Sequence, residues 1–193
     1  HEIEGIVVAV GDTVKNVKVG ERKVIYPWIG CGDCPDCHND REHYCTGRAL
    51  GVRLPGGFSS HCLVPEEHYC LDADGIEPGL ASTYMCSGIT AYAALKHLKP
   101  MDDNEPVLIM GLGGVGMMAL QFALQMLNRP VLVADLDDNK LQAAMGAGAH
   151  AAYNPKDPEA LAKLQADTNG GVGAAVDFVG AESSLAFASA ALR

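Results

Sequence analysis

The chain has 193 residues, 48% of them hydrophobic, with 24 acidic side chains against 14 Lys and Arg and a formal net charge of -10. That much apolar content in a chain of this length buries a real core, so one large domain or two small ones are expected rather than disorder. The acidic balance supplies no concentrated positive field, which excludes nucleic acid and anionic membrane surfaces as expected partners.

No basic segment precedes the apolar stretch 6–10, which is too short for an export signal, so a cytoplasmic setting is expected. Residues 1–78 read as short strands and loops. Strands are predicted over the β-branched run 4–10, the brief runs Val17-Lys18-Val19 and Val24-Ile25-Tyr26, and the stretch 56–64 that ends at Pro65. A large excursion lies between 28 and 50. Residues 71–79 hold Asp72, Asp74, Gly75, Pro78 and Gly79, turn and breaker residues that suit the approach to a domain boundary.

Beyond that point helical and strand patterns alternate. A helix over 89–98 stops at Pro100. A strand at 107–110, a helix over 114–127, a strand at 131–134 and a helix over 139–145 follow. Next come a weak strand at 151–153, a helix to about 166, a strand at 174–179 and a helix over 182–192. Asp157 is the expected N-cap of the helix ending near 166, with Pro158 its first residue. Repeated βα units imply a parallel sheet with helices on both faces. The uncharged stretch 107–127 is about long enough to cross a bilayer. Its early cluster of Gly111, Gly113, Gly114 and Gly116 suits a buried strand, a tight turn and a packed helix instead.

Cys31, Cys34, Cys37 and Cys45 have the spacing C-x2-C-x2-C-x7-C, dense enough to bring four thiolates around one ion. Tetrahedral zinc is the natural occupant. Two disulfides need an oxidising compartment. A bacterial-ferredoxin cluster wants a shorter last gap and a proline after the final cysteine, whereas Pro35 follows the second. A zinc ribbon usually has two separated C-x2-C pairs. With four protein ligands the coordination shell is closed, so this ion holds a loop together and does no chemistry.

Gly111-Leu112-Gly113-Gly114-Val115-Gly116 satisfies G-x-G-x-x-G. The motif alone is weak, but it follows a strand and opens a helix, so backbone N–H groups and the helix dipole face a pyrophosphate. Asp135 ends the next strand at the distance where an acid binds adenosine ribose hydroxyls, and its charge repels the extra phosphate of NADP. NAD is therefore the expected cofactor. The alternative is glycines that serve only close helix–sheet packing, with Asp135 in a solvated turn. Asp137 and Asp138 read as turn or helix-cap residues.

In order along the chain stand His1-Glu2 opening a β domain, the four-cysteine lobe and the dinucleotide loop. This combination resembles the medium-chain zinc alcohol dehydrogenases over essentially the whole chain. The resemblance implies an α/β fold: a Rossmann-type doubly wound parallel sheet, truncated here, plus part of a β-rich GroES-like catalytic domain. The catalytic domain would be 1–78, with its zinc lobe at about 28–50, and the NAD-binding domain 79–193.

His1-Glu2 looks like the family's Gly-His-Glu motif with its glycine before the first residue given. The resemblance implies that His1 ligates a catalytic zinc and that Glu2 steadies or transiently contacts the metal. Cys86, in Met85-Cys86-Ser87-Gly88-Ile89-Thr90, matches the family's second cysteine ligand. Without the family, His1 is an ordinary histidine and Cys86 a buried apolar thiol. Thr90 and Val115 are implied to pack beside the nicotinamide, Lys140 to assist Asp135 at the ribose, and the lobe cysteines to hold the structural zinc. The family's first cysteine ligand, with the hydroxyl residue that begins its proton relay, lies several tens of residues before Gly-His-Glu. The family's sheet also continues with two further strands.

The implied activity is hydride transfer between a primary or secondary alcohol, or its aldehyde or ketone, and NAD. One zinc is catalytic, acting as a Lewis acid on the substrate oxygen, and one structural. The implied partners are a small-molecule substrate and further copies of the chain, as a homodimer or homotetramer through the coenzyme domain. A zinc-free quinone-type reductase of the same superfamily and a non-catalytic NAD-binding zinc protein are the alternatives. Cys62, Cys70, His38, His43, His61, His68, His97 and His150 are read as packing or surface residues, and Trp28, in the lobe region, carries no assignment.

Overall fold

The computed structural model describes residues 1–45, 47–98 and 105–193. It divides into two compact units, His1–Cys86 and Ser87–Arg193. Pro100, the expected helix stop, lies outside the described residues.

The first unit is built on a three-stranded antiparallel sheet of order β1-β2-β3, with β1 Ile3–Ile6, β2 Arg22–Ile25 and β3 Cys70–Asp72. Side chains alternate across this sheet as the strand period requires. Ile3 and Ile25, directly opposed, join Ile29, Leu50 and Tyr69 in one buried cluster. Val24, on the other face, packs with Ala73 and Ala81.

Three strand expectations change. Val17-Lys18-Val19 forms no strand, although Val17 is buried and Val19 is exposed. The alternation belongs to a loop whose N–H groups go elsewhere: those of Lys15 and Asn16 donate to Glu67 Oε2 at 3.0 and 2.7 Å. Residues 56–64 form no strand either. The Ser59 hydroxyl lies 3.0 Å from the Gly56 carbonyl and 2.6 Å from that of His61, closing a turn where a ladder would run. Leu71 and Asp72, read among the turn residues 71–79, pair with Cys70 as β3 against β2 (Val24 opposite Leu71), and Lys23 Nζ bonds the Asp72 carboxylate.

The second unit is a four-stranded parallel sheet of order β6-β5-β4-β7, with β4 Val107–Met110, β5 Val131–Ala134, β6 Ala151–Tyr153 and β7 Ala174–Asp177. All four residues of β4 and of β5 are buried, the continuous apolar run expected of strands covered on both faces. Five helices accompany them: α1 Ser87–Lys96, α2 Gly114–Met126, α3 Asp138–Gly146, α4 Ala160–Asp167 and α5 Glu182–Ala191. Leu108, Met110, Leu132 and Ala134 meet Ala160 and Leu164 of α4 and Ala191 of α5 on one face. The opposite parity, Ile109 and Val133, is left for α2, which α1 backs through an edge contact of Tyr92 on Phe122. The stretch 107–127 is thus a strand, a turn and a helix, and among the described residues no helix is long and apolar enough to cross a membrane.

Two boundaries move for local reasons. Helix α4 starts at Ala160 with Glu159 as N-cap, because the Asp157 carboxylate accepts the Glu159 N–H at 2.9 Å and forms a turn ahead of the helix. Strand β7 stops at Asp177, whose carboxylate accepts the Val179 N–H at 2.8 Å and turns the chain. The sheet order reverses between β4 and β7, and a ligand crevice is expected beyond the strand ends at such a point.

The Glu67 clamp has a pH signature. The N–H groups of Asn16 and Lys15 hold its carboxyl below the ordinary 4.5. A depressed carboxylate contributes stability that is fully present above its unfolded value and is lost as pH falls through the folded one. Glu67→Gln is therefore expected to lower the melting temperature at neutral pH, with the gap from the parent closing as pH drops below 4.5. A gap that persists unchanged in acid, in thermal melts, would remove the clamp's role.

Candidate functional site

The four-cysteine lobe is a series of tight turns. The His38 N–H donates to the Cys34 carbonyl at 3.0 Å, and Asp40 turns the chain at φ 54°. The Gly30 N–H donates to the Tyr69 hydroxyl at 3.1 Å, tying the lobe to the core of its unit. The four Sγ atoms of Cys31, Cys34, Cys37 and Cys45 lie within 4.8 Å of one another, with Cys31–Cys37 at 3.9 Å and Cys34–Cys37 at 3.5 Å. A zinc–sulfur bond of about 2.3 Å sets tetrahedral edges of roughly 3.8 Å, so the donor set fits zinc. Protonation of the free thiols is unequal. The N–H groups of Asp33 and Cys34 draw Cys31 down to about 6. At Cys37 the pull of the Gly32 N–H is outweighed by burial and the neighbouring sulfurs, which push it up to about 11. Four sulfurs this close cannot all ionise without a cation among them.

A second pairing joins the two ends of the same unit. Cys86 Sγ lies 3.5 Å from His1 Nδ1, although the residues are 85 positions apart. The contact takes up one ring nitrogen and brings the thiol against the imidazole. His1 Nε2 is buried and, among the described residues, has no hydrogen-bond partner. An orphaned buried ring nitrogen is costly, and a metal relieves the cost. Burial, then the charge of Glu2, raises the Cys86 thiol above its ordinary value, so the ionised form needs a cation beside it. Trp28 stands edge-on against the His1 ring, centroids 4.7 Å apart. Sequence reasoning missed Trp28; its place just ahead of the lobe cysteines was the available signal.

In the second unit the glycine loop leaves β4 and enters α2. Gly111 turns at φ +88°, and a Cβ there would strike Val179 Cγ2. A Cβ at Gly116 would overlap the Gly111 carbonyl oxygen, so only glycine lets α2 start this close to the strand. Gly113, the N-cap, and Gly114 are exposed, and a Cβ on Gly113 would meet open space. The first N–H groups of α2 have no intrahelical acceptor and present a partial positive charge there. At the end of β5, Asp135 Oδ2 accepts the Leu112 N–H at 2.6 Å, and Lys140 Nζ stands 4.0 Å from the same oxygen. The loop and the acid are thus held together. Asp137 caps α3, accepting the Asn139 N–H at 2.9 Å. A cleft of about 1160 Å³, lined by Met110, Gly111, Gly113, Asp135, Lys140 and Phe178 among others, opens beyond the strand ends. Its lining fits a dinucleotide. Val115 is half-buried and Thr90, on α1, is exposed.

A small β unit with a four-cysteine lobe, followed in the chain by a parallel sheet with a glycine loop between strand and helix, defines the class of zinc-binding dehydrogenases. Family models agree: residues 1–74 match the alcohol dehydrogenase GroES-like domain and residues 114–193 the zinc-binding dehydrogenase domain. The chain belongs to the medium-chain zinc alcohol dehydrogenase family. It is 35% identical over 184 residues to the NAD-dependent alcohol dehydrogenase of Sulfolobus acidocaldarius, covering 94% of this chain and 53% of that protein. It is 37% identical over 180 residues to an alcohol dehydrogenase of Geobacillus stearothermophilus, covering 91% and 52%. Among solved structures, the alcohol dehydrogenase of Aeropyrum pernix superposes with a TM-score of 0.88 at 25% identity, covering 100% of this chain and 57% of that one. The alcohol dehydrogenase TADH of Thermus sp. ATN1 gives 0.85 at 27% identity, covering 100% and 58%. The chain spans about half the length of the curated relatives it matches.

Two substitutions test these sites. Cys37→Ser is expected to remove one zinc per chain by metal analysis and to lower the melting temperature; unchanged zinc content would dismiss the cluster as a metal site. Gly116→Ala is expected to cost about 1–3 kcal/mol of stability through overpacking and to abolish dinucleotide binding in an NADH fluorescence titration. Normal binding by this variant would show that the close approach is dispensable.

Proposed function

We propose that the protein is a zinc-dependent oxidoreductase transferring a hydride between a primary or secondary alcohol, or the matching aldehyde or ketone, and NAD. The observation that carries this reading is the meeting of His1 and Cys86 at 3.5 Å, with a buried imidazole nitrogen left for a ligand. The relatives' names, NAD-dependent alcohol dehydrogenase among them, support it.

Zinc, when bound, supplies Lewis acidity and NAD the hydride acceptor. His1 and Cys86 hold the ion with a third protein ligand, which leaves one position open, and Glu2 steadies the site from the neighbouring position. Trp28 shields the His1 ring from water. Gly111, Gly113, Gly114 and Gly116 bring backbone close to the pyrophosphate, which the N-terminus of α2 attracts. Asp135 accepts hydrogen bonds from the ribose hydroxyls, with Lys140 beside it, and disfavours a 2′-phosphate by like-charge repulsion. Val115 and Thr90 pack beside the nicotinamide. Cys31, Cys34, Cys37 and Cys45 hold the structural zinc. Residues 1–78 serve as the catalytic domain and 79–193 as the coenzyme domain of a cytoplasmic homodimer or homotetramer.

The test is zinc content together with alcohol-dependent NADH formation by the holoenzyme. Two zinc ions per subunit and turnover are expected, and His1→Ala should lose one ion and more than about a hundredfold in kcat, beyond what a supporting group contributes. An absence of zinc would point to a zinc-free reductase. Two ions without turnover over a broad alcohol panel would leave a non-catalytic NAD-binding protein.

A further inference from the structure

Strand β1 carries a carboxylate, Glu4, that binds the segment leading to Cys86. Glu4 and Arg22 are diagonal neighbours on one face of the β1–β2 pair, Glu4 lying opposite Val24 and Arg22 opposite Ile6. Arg22 Nη1 donates to Glu4 Oε1 at 2.8 Å, and the two side chains are only 26% and 12% exposed. Both also bind one segment of backbone. Arg22 Nη2 donates to the Ala73 carbonyl and to that of Ile76 at 2.9 Å, while Glu4 Oε2 accepts the Gly79 N–H at 3.1 Å. The Ser82 N–H also reaches the Glu4 carboxylate.

These contacts span the stretch leading into the 3-10 turn Ala81–Met85, which ends at Cys86. Leu80, at the turn's N-cap position, has no side-chain cap to offer, so Glu4 supplies the negative group from another element. Ala81, 1% exposed among Val24 and Ala73, anchors the turn against the sheet. Few residues separate His1 from Glu4 on one side, or Ser82 from Cys86 on the other. An exposed ion pair contributes little. This one is largely shielded and satisfies backbone groups at both ends of a loop, so breaking it frees the loop as well as the charge.

We infer that Glu4 and Arg22 form a positioning strut that fixes Cys86 against His1, so that the proposed metal finds both ligands already placed. The inference rests on the catalytic-zinc reading of His1 and Cys86. Neither strut residue touches the metal; they act through the backbone that carries Cys86.

The experiment loads the holoenzyme with cobalt(II) and follows chelator-driven release of each ion, with the visible thiolate–cobalt bands as a spectroscopic readout. Glu4→Gln, which keeps the shape and removes the charge, is expected to weaken retention of the ion at His1 and Cys86 by roughly 10–100-fold and to shift its bands. Arg22→Lys, which keeps the charge and loses the fork, should fall between parent and Glu4→Gln. The lobe ion should be retained as in the parent. Glu67→Gln, which loosens a different loop of the same unit, serves as the stability control and should leave both ions unchanged. If Glu4→Gln does not fold, Arg22→Lys alone decides. Two ions in the parent, with the second held as firmly in both strut variants as in Glu67→Gln, would overturn the strut. Only one ion in the parent would overturn the catalytic-zinc reading beneath it.

Discussion

The meeting of His1 with Cys86 is the constraint on which the first unit is organised. Side chains 85 residues apart stand 3.5 Å from each other. A three-stranded antiparallel sheet makes this inexpensive. Strand β1 leads away from His1, and β3 leads into the segment that returns past β1 and β2 to Cys86. Loop-closure entropy grows only slowly with loop length, so the intervening chain can carry a large lobe without undoing the closure. That lobe supplies its own constraint, four sulfurs within 4.8 Å of one another.

The second unit places backbone with the same economy. Strand β4 sits inside the sheet, between β5 and β7, and its four residues are buried. Its end is therefore a fixed point from which the glycine loop departs. The tight fit of Gly116 over the Gly111 carbonyl sets the first turn of α2 against the strand end, and Asp135 is held to the loop through the Leu112 N–H. A flexible loop would pay an ordering cost at each binding event, whereas this one is ordered by packing beforehand.

How much was legible in the sequence follows from how each element is held. Strands β4 and β5 showed as unbroken apolar runs because both of their faces are covered, and the glycine motif showed because backbone sterics demand glycine at specific positions. The cysteine lobe was legible because its ligands lie close together in the chain. The short strands of the first unit were not. Strand β3 has three residues, and only its partner β2 distinguishes it from the turns around it. Val17 alternates like a strand residue while the neighbouring N–H groups bind a carboxylate more than fifty positions away. Trp28 beside His1 and Glu4 beneath the Cys86 segment are products of tertiary closure, for which local spacing offers no template.

The seven cysteines show how environment divides one chemistry into three. Cys62 and Cys70 pack against the apolar cluster of the first unit, where burial raises both thiols and leaves them inert filling. The lobe cysteines meet as a group, and because four sulfurs complete a tetrahedron, an ion among them has no position left for a substrate. Cys86 is different because it meets one imidazole rather than three thiols. On the proposed reading a sulfur and a nitrogen would fill only half of a tetrahedron, and a position not taken by protein would be open to a substrate oxygen. On the proposed reading, the number of donors the fold brings together, four in the lobe and two here, is what would separate a metal that braces a loop from one that does chemistry.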